Sequence, residues 1–175
     1  MSTSDHAAVV IRVATKADLP ALGRLATLLV RLHHDFDRAR FMAATDQTER
    51  GYGSYLGTQL SERGTTMLVA TVEGVVVGYA WGSLEGTDYM SLRGPAGVLH
   101  DLVIDEAHRR RGIGSLLLEA AIASLETAGA RQVVLSTAAR NENAQQLFTR
   151  HGFRATMLEL TRDMEHHESE RRGEA

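Results

Sequence analysis

An apolar helix enclosed between two β-branched strands is the feature that most limits the folds open to this chain. Residues 112–128 read as a helix that is apolar nearly all round, with Gly129 as its C-terminal stop. A helix of this kind is packed on more than one side. The run 98–104 before it and the run 132–136 after it are typical of strands. Together the three segments predict a right-handed β-α-β crossover with parallel strands.

The remaining segments predict a mixed sheet. Glu73-Gly74 has the composition of a tight turn, which predicts an antiparallel hairpin around it. Thr15 and Asp18 have the spacing of a helix start. In chain order, the further elements are a strand at 9–13, a helix from 15 to about 32, a weaker helix at 47–63, hairpin strands at 66–72 and 75–81, a helix at 141–151 and a last strand at 153–160. We therefore expect an α/β domain with helices on both faces of the sheet.

The length of 175 residues fits one domain. We assign residues 1–8 to an N-terminal extension, residues 9–161 to a single domain and residues 162–175 to a charged C-terminal tail. No run reaches the roughly 20 apolar residues of a membrane span, and residues 1–8 lack the pattern of a secretory signal. These features predict a cytoplasmic protein that is not bound to a membrane.

Composition excludes several chemistries. Cysteine is absent, which excludes disulfides, cysteine nucleophiles and thiolate metal sites. A net charge of −3 gives no global field that would attract nucleic acid, so we expect no nucleic-acid partner. Lys16 is the only lysine among 19 basic residues, a bias typical of a GC-rich, bacterial genome.

The segment 109–115 predicts an anion site. It follows a strand, opens a helix and reads Arg109, Arg110, Arg111, Gly112, Ile113, Gly114 and Ser115. Amides of a helix's first turn point at one spot, and the two glycines let a phosphate approach the backbone. The glycine patterns of a P-loop and of a dinucleotide-binding fold are absent. Taken alone, the segment is equally compatible with a basic, solvated turn.

Two stretches in this order resemble the GNAT superfamily of N-acetyltransferases. Arg109-x-x-Gly112-x-Gly114 is similar to the acyl-CoA pyrophosphate loop of that family. The stretch from Asn141 through Phe148 to Gly152-Phe153 resembles its second conserved stretch, and the likeness covers residues 9–160. The resemblance implies the GNAT fold, with a mixed, mostly antiparallel sheet of six to seven strands. It also implies an enzyme that transfers the acetyl group of acetyl-CoA directly to a primary amine of a small molecule, peptide or protein.

The resemblance assigns the cofactor-binding residues as well. It implies that the backbone of Leu102, Val103 and Ile104 runs beside the pantetheine arm, and that amides from Arg110 to Ser115, with Arg109 beside them, hold the pyrophosphate. It places Asn141 and Asn143 against the cofactor near the start of the later helix. It further implies that the two central parallel strands diverge and leave a gap for the acyl group.

His100 and Asp101 are the candidate catalytic residues. An amine with a pKa near 10.4 is almost wholly protonated at pH 7, so a general base is useful. By alignment with the family, both residues stand where many relatives carry acids. Strict alternation places His100 on one strand face with Leu102 and Ile104, and Asp101 on the other. Either residue is a candidate base, and both are also compatible with a structural role in the sheet.

Phe148 is the main departure from the family pattern. Many relatives carry tyrosine at this position, where it is thought to protonate the leaving thiolate, and phenylalanine cannot donate a proton. Ser136, Thr137 or one of four tyrosines are the candidate substitutes: Tyr52, Tyr55, Tyr79 and Tyr89. The alternatives to an active enzyme are therefore an acyl-CoA-binding regulatory module and a self-associating protein with a vestigial loop.

The segment from His33 to Asp37 carries two histidines and two aspartates. Adjacent histidines point in different directions, and no helical pair completes a site, so we predict no metal. In the GNAT fold this connection commonly borders the acceptor pocket, where His34, Asp35 and Asp37 are candidates to attract a cationic amine. The acceptor itself cannot be read from the sequence. Relatives often dimerise, so a homodimer is one expected arrangement.

Overall fold

The computed structural model describes residues 8–164. Its five strands and four α-helices, in chain order, are β1 (Val9–Val13), α1 (Leu19–Phe36), α2 (Thr48–Gln59), β2 (Thr65–Val72), β3 (Val75–Glu85), β4 (Ala96–Ile104), α3 (Ile113–Thr127), β5 (Val133–Leu135) and α4 (Glu142–Arg150). The sheet order follows the chain order from β1 to β5. Neighbouring strands are antiparallel except β4 and β5, which are parallel. The mixed sheet and the β-α-β unit around α3 are thus as predicted.

The hairpin of β2 and β3 turns at Glu73-Gly74. Val72 pairs with Val75, so the turn has two central residues. Both have positive φ, 51° at Glu73 and 78° at Gly74, which is the conformation that matches the twist of the strands. This confirms the predicted tight hairpin.

Helices cover both faces of the sheet. One buried cluster lies under α3 and includes Leu99, Leu117 and Leu118. The other lies under α1 and α2, where Leu22 and Leu56 pack on strand residues of the opposite sheet face. The predicted arrangement of helices on both faces is confirmed, and the apolar character of α3 follows from its buried position.

Glycines let α1 and α2 approach each other closely. A Cβ at Gly23 would collide with the carbonyl oxygen of Glu49, and a Cβ at Gly53 would lie 3.3 Å from the carbonyl oxygen of Leu19. The glycines of α2 weaken its intrinsic helix propensity, but they permit backbone contact with α1. This contact fixes the position of Tyr52, which the site uses.

Three sequence predictions differ from the structure. The described residues form five strands rather than six to seven, because 153–160 is irregular and largely exposed. A β-rich segment becomes a strand only when a neighbouring strand pairs with it, and no strand of the described residues pairs with this one. Strand β5 is shorter than predicted, and α1 continues to Phe36, so that the paired histidines belong to its last turn.

The predicted N-terminal extension lies outside the described residues except for Ala8, and the predicted tail does so beyond Met164. Within residues 8–164, no helix is both long and apolar enough to cross a membrane.

Candidate active site

Strands β4 and β5 diverge in the middle of the sheet. Their parallel pairing covers only three positions and ends at Leu99 and Leu135. Strand β4 continues to Ile104 and is still paired with β3 at that end. From His100 onward, β4 therefore has a strand neighbour on one side only. This is the divergence that the family resemblance implied.

A β-bulge at His100 changes the direction of the side chains of β4. Trp81 pairs with Asp101, whereas the next residue of β3, Gly82, pairs with Leu99, so His100 is the extra residue. The ring of His100 stacks on that of Trp81, with centroids 4.3 Å apart, on the sheet face under α1 and α2. The prediction that His100 shares a face with Leu102 and Ile104 is wrong, because strict alternation fails at a bulge. His100 and Asp101 both face the same cavity.

Asp101 is a buried carboxylate held by two tyrosines. It is 5% exposed. The hydroxyl of Tyr79 donates to Oδ2 over 2.7 Å, and the hydroxyl of Tyr52 lies 3.0 and 3.1 Å from the two carboxylate oxygens. Burial raises the pKa of Asp101, while the hydrogen bonds from Tyr79 and Tyr52 act in the opposite direction. Burial, followed by the charge of Asp101, raises the pKa of both tyrosines, so they remain neutral donors.

The hydrogen bonds of His100 fix its neutral tautomer. The hydroxyl of Ser83 donates to Glu85 Oε1 over 3.2 Å, which leaves the Ser83 oxygen as an acceptor 2.8 Å from His100 Nε2. Glu85 Oε1 lies 3.2 Å from the same nitrogen. Both neighbours accept from Nε2–H, so the lone pair of the neutral ring is on Nδ1. Arg93 donates to the other oxygen of Glu85 over 2.9 Å and fixes that carboxylate.

Burial lowers the pKa of His100, and the negative charges of Glu85 and Asp101 oppose this shift. The imidazole is therefore neutral at pH 7, with a free lone pair and a carboxylate behind its other nitrogen. This arrangement can accept a proton and stabilise the resulting imidazolium.

A cavity of about 240 Å³ lies where the two strands diverge. Its wall consists of residues from α1 and the following loop, α2, β4, β5 and α4: Leu29, Val30, His33, Phe41, Met42, Tyr52, Leu99, His100, Asp101, Leu102, Leu135, Ser136, Thr137, Asn141, Ala144 and Phe148. His33 is part of this wall, but His34, Asp35 and Asp37 are not. His34 is bonded to the carbonyl of Phe41, and Asp37 accepts from two amides of its own loop.

The predicted anion loop joins β4 to α3. Gly112 has a φ of +79°, and a Cβ there would face open space. Arg110 also has positive φ, at 59°. Within the described part of the chain, the backbone N–H groups from Arg110 to Ser115 donate to no acceptor. The first hydrogen bond of α3 runs from the N–H of Leu116 to the carbonyl of Gly112. These amides can bind an anion at the helix N-terminus.

The side chains of the predicted cofactor-binding residues differ in what they can contact. Leu102 lines the cavity, whereas Val103 and Ile113 are buried in the two cores and can serve only through their backbones. The Arg109 guanidinium donates to the carbonyl of Ile104 over 3.2 Å and closes the loop.

The two predicted asparagines are separated by the cap of α4. Asn141 lines the cavity, and its side-chain oxygen accepts from the amide of Ala144 over 3.2 Å. Asn143 is exposed and is not part of the cavity wall. Asn141 therefore has a structural role at the start of α4 through its side-chain oxygen, and the nitrogen of its side-chain amide is left for a ligand.

Phe148 lies in the cavity wall and is 9% exposed. Of the candidate substitutes for the missing tyrosine hydroxyl, Ser136, Thr137 and Tyr52 line the cavity. The other three tyrosines, Tyr55, Tyr79 and Tyr89, do not. Sequence reasoning missed Glu85 and Trp81 as partners of His100. Both belong to the strand next to β4, and no pattern in the sequence indicates which residues of two strands are paired.

Comparison with known proteins gives a family and a fold. Residues 29–153 match the model of the Acetyltransferase (GNAT) family. Mycothiol acetyltransferase of Corynebacterium diphtheriae is 29% identical over 100 residues, which are 57% of this chain and 32% of that protein. The chain thus matches about a third of the length of that curated relative.

Two solved structures show the same fold. An aminoglycoside N-acetyltransferase in complex with CoA superposes with a TM-score of 0.71 at 20% identity, covering 93% of this chain and 99% of that one. A ribosomal-protein-alanine N-acetyltransferase from Brucella melitensis superposes with a TM-score of 0.62 at 18% identity, covering 90% and 100%.

Proposed function

Since the chain belongs to the GNAT acetyltransferase family, whose members use acetyl-CoA, we propose that it transfers the acetyl group of acetyl-CoA to a primary amine. The observation that carries this proposal is the cavity between the diverging strands. His100 and Asp101 lie in its wall, and the loop with free amides follows the end of β4. The similar proteins are named as an aminoglycoside, a ribosomal-protein and a mycothiol acetyltransferase, so they do not agree on one acceptor.

In the proposed reaction, His100 Nδ1 is the general base. An acceptor amine is protonated at pH 7 and must lose a proton before it can attack. The amine nitrogen then attacks the thioester carbonyl, the N–C bond forms and the C–S bond breaks. His100 takes the proton that the ammonium group loses before the attack, and the electron pair leaves with the CoA sulfur. The nitrogen loses its second proton to solvent as the amide forms, and the CoA thiolate takes up a proton from solvent. Glu85, fixed by Arg93, stabilises the imidazolium.

Asp101 supplies the negative charge that attracts the incoming ammonium group. Its two tyrosine donors keep the carboxylate fixed in the wall of the cavity. The amides of β4 after Asp101 polarise the thioester carbonyl as oxyanion donors. Transfer is direct, because the chain has no cysteine and no other nucleophile stands out for a covalent intermediate.

The experiment is a thiol-release assay with acetyl-CoA and a panel of amines, combined with calorimetric titration of acetyl-CoA. We expect His100→Gln to lower kcat/KM by about 10²-fold or more while acetyl-CoA affinity stays within twofold. His33→Gln is the matched control, because His33 also lines the cavity but bonds only the carbonyl of Leu29 through Nδ1. Equal losses in the two variants would remove His100 from the mechanism.

Phe148 favours one second function, that of an acyl-CoA-binding module without turnover. Its ring occupies the wall of the cavity and offers no proton to a leaving thiolate. Micromolar binding of acetyl-CoA without thiol release on any amine would support this alternative.

We also propose that the protein acts as a homodimer in a bacterial cytoplasm. Support for the dimer comes from the segment 153–164, which is irregular and exposes Leu158 and Leu160 at 83% and 91%. Within residues 8–164, strand β5 pairs with β4 on one side and with no strand on the other, so each copy offers an edge and an apolar segment. Sedimentation should give a dimer that Leu158→Asp dissociates, whereas the exposed loop variant Met90→Asp should leave it intact. A monomeric parent protein would contradict the proposal.

A further inference from the structure

We propose that the acceptor is an amine with a single positive charge and an apolar or aromatic body, such as an arylalkylamine, rather than a polyamine, an aminoglycoside or an amino sugar. This inference rests on the proposed function and adds the chemical class of its acceptor. It is carried by the residues of the cavity wall.

The half of the cavity under α1 is mostly apolar. Leu29 and Val30 come from α1, and Phe41 and Met42 come from the loop after it. His33 of α1 is the polar member, and its Nδ1 is bonded to the carbonyl of Leu29. The polar groups Ser136, Thr137 and Asn141 belong to the opposite wall, where β5 and α4 face the gap expected to take the acyl donor. An acceptor that enters against α1 therefore meets methyl, methylene and aromatic groups. A polyhydroxylated sugar would lose its water there without gaining enough hydrogen bonds.

One negative charge serves this cavity. Within residues 8–164, Asp101 is the only acidic side chain in the wall. It lies beside Tyr52, opposite the apolar residues of α1, where one ammonium group can reach it. A second or third ammonium group on the same acceptor would have no carboxylate in the wall and would carry an uncompensated charge.

The test compares kcat/KM for 2-phenylethylamine, spermidine, kanamycin and glucosamine at fixed acetyl-CoA. We expect 2-phenylethylamine to exceed each of the other three by about tenfold or more, since one good apolar contact surface is worth that much discrimination. Met42→Asp should reduce the preference for 2-phenylethylamine over spermidine about tenfold, because it places a charge in the apolar half. Met90→Asp makes the same change at a residue that is 94% exposed and outside the wall, and it should leave the preference unchanged.

Turnover of spermidine, kanamycin or glucosamine at rates equal to or above those of 2-phenylethylamine overturns this inference and leaves the proposed acetyl transfer intact. Equal effects of the two methionine variants overturn the role given to the apolar wall. Absence of thiol release with every amine, from protein that binds acetyl-CoA, overturns the proposed function and this inference with it.

Discussion

Gly112 and Gly129 allow a sharp test of the anion loop, because they stand at opposite ends of α3. Both have positive φ, +79° and +105°, and a Cβ at either would meet no atom within 4 Å. Alanine at such a position costs about 1–2 kcal/mol of backbone strain and regains about 0.4–1 kcal/mol from the unfolded state. Each Gly→Ala variant should therefore lose about 1 kcal/mol of unfolding free energy.

The two variants should differ in CoA binding. The open space beside Gly112 is where the pyrophosphate is expected to lie, so its Cβ would occupy part of the ligand's volume. We expect Gly112→Ala to weaken CoA at least tenfold, a change of about 1.4 kcal/mol, and Gly129→Ala to leave it within twofold. A tryptophan at position 112 should abolish binding.

Calorimetric titration with CoA and urea unfolding of both variants provide the two measurements. The unfolding data establish that the strain is matched, and the titration then isolates the effect of the Cβ in the loop. Equal CoA affinities for Gly112→Ala, Gly129→Ala and the parent protein would refute the assignment of the loop as a phosphate site. A similar loss in both variants would show that strain on α3, rather than occupancy of the loop, controls binding.

Three further predictions concern pH and proton transfer. Because burial lowers the pKa of His100, we expect kcat/KM to persist as the pH falls below 6.5. Glu85→Gln removes a negative charge that raises this pKa, so it should move the acidic limb of the profile of kcat/KM against pH to lower pH and reduce its plateau. An acidic limb that does not move in this variant contradicts the assignment of His100 as the base. The bidentate hydrogen bonds from Arg12 hold the pKa of Asp18 well below its usual range. The pair therefore stabilises the folded state fully above the unfolded pKa near 3.9, and this stabilisation is lost as the pH falls below it. Urea unfolding between pH 5 and pH 2 should show a free energy of unfolding that falls with pH in the parent protein and falls less in Asp18→Asn. Phe148→Tyr should raise kcat by up to about 10²-fold if thiolate protonation limits the rate, and an unchanged kcat with unchanged acetyl-CoA affinity shows that it does not.

The candidate anion loop was predicted from local features of the sequence, whereas His100 and Asp101 were proposed from the family resemblance. Gly112 and the arginines before it are contiguous, and their position between a strand and a helix determines what their amides can do. The same holds for the Glu73-Gly74 hairpin and for the crossover around α3. In each case the information lies within one segment or within segments that follow each other directly in the chain.

The contacts of His100 and Asp101 were not predictable from the sequence, because they join residues that are far apart in the chain. Asp101 meets Tyr52 across 49 positions and Tyr79 across 22. The bulge at His100 depends on the register of two strands, which no single strand's pattern specifies. The expected last strand is absent for a related reason, since none of the strands among residues 8–164 pairs with 153–160.

Hydrophobic periodicity and turn chemistry act over short distances, so the sequence predicts the α/β class, the order of the central elements and a candidate anion loop. The tertiary structure adds that His100 and Asp101 face one cavity, that Glu85 and Arg93 lie behind the imidazole, and that the α1 side of the cavity is mostly apolar. Those properties arise from strand register and from helices packed across the sheet, and such long-range pairings leave no local trace in the chain.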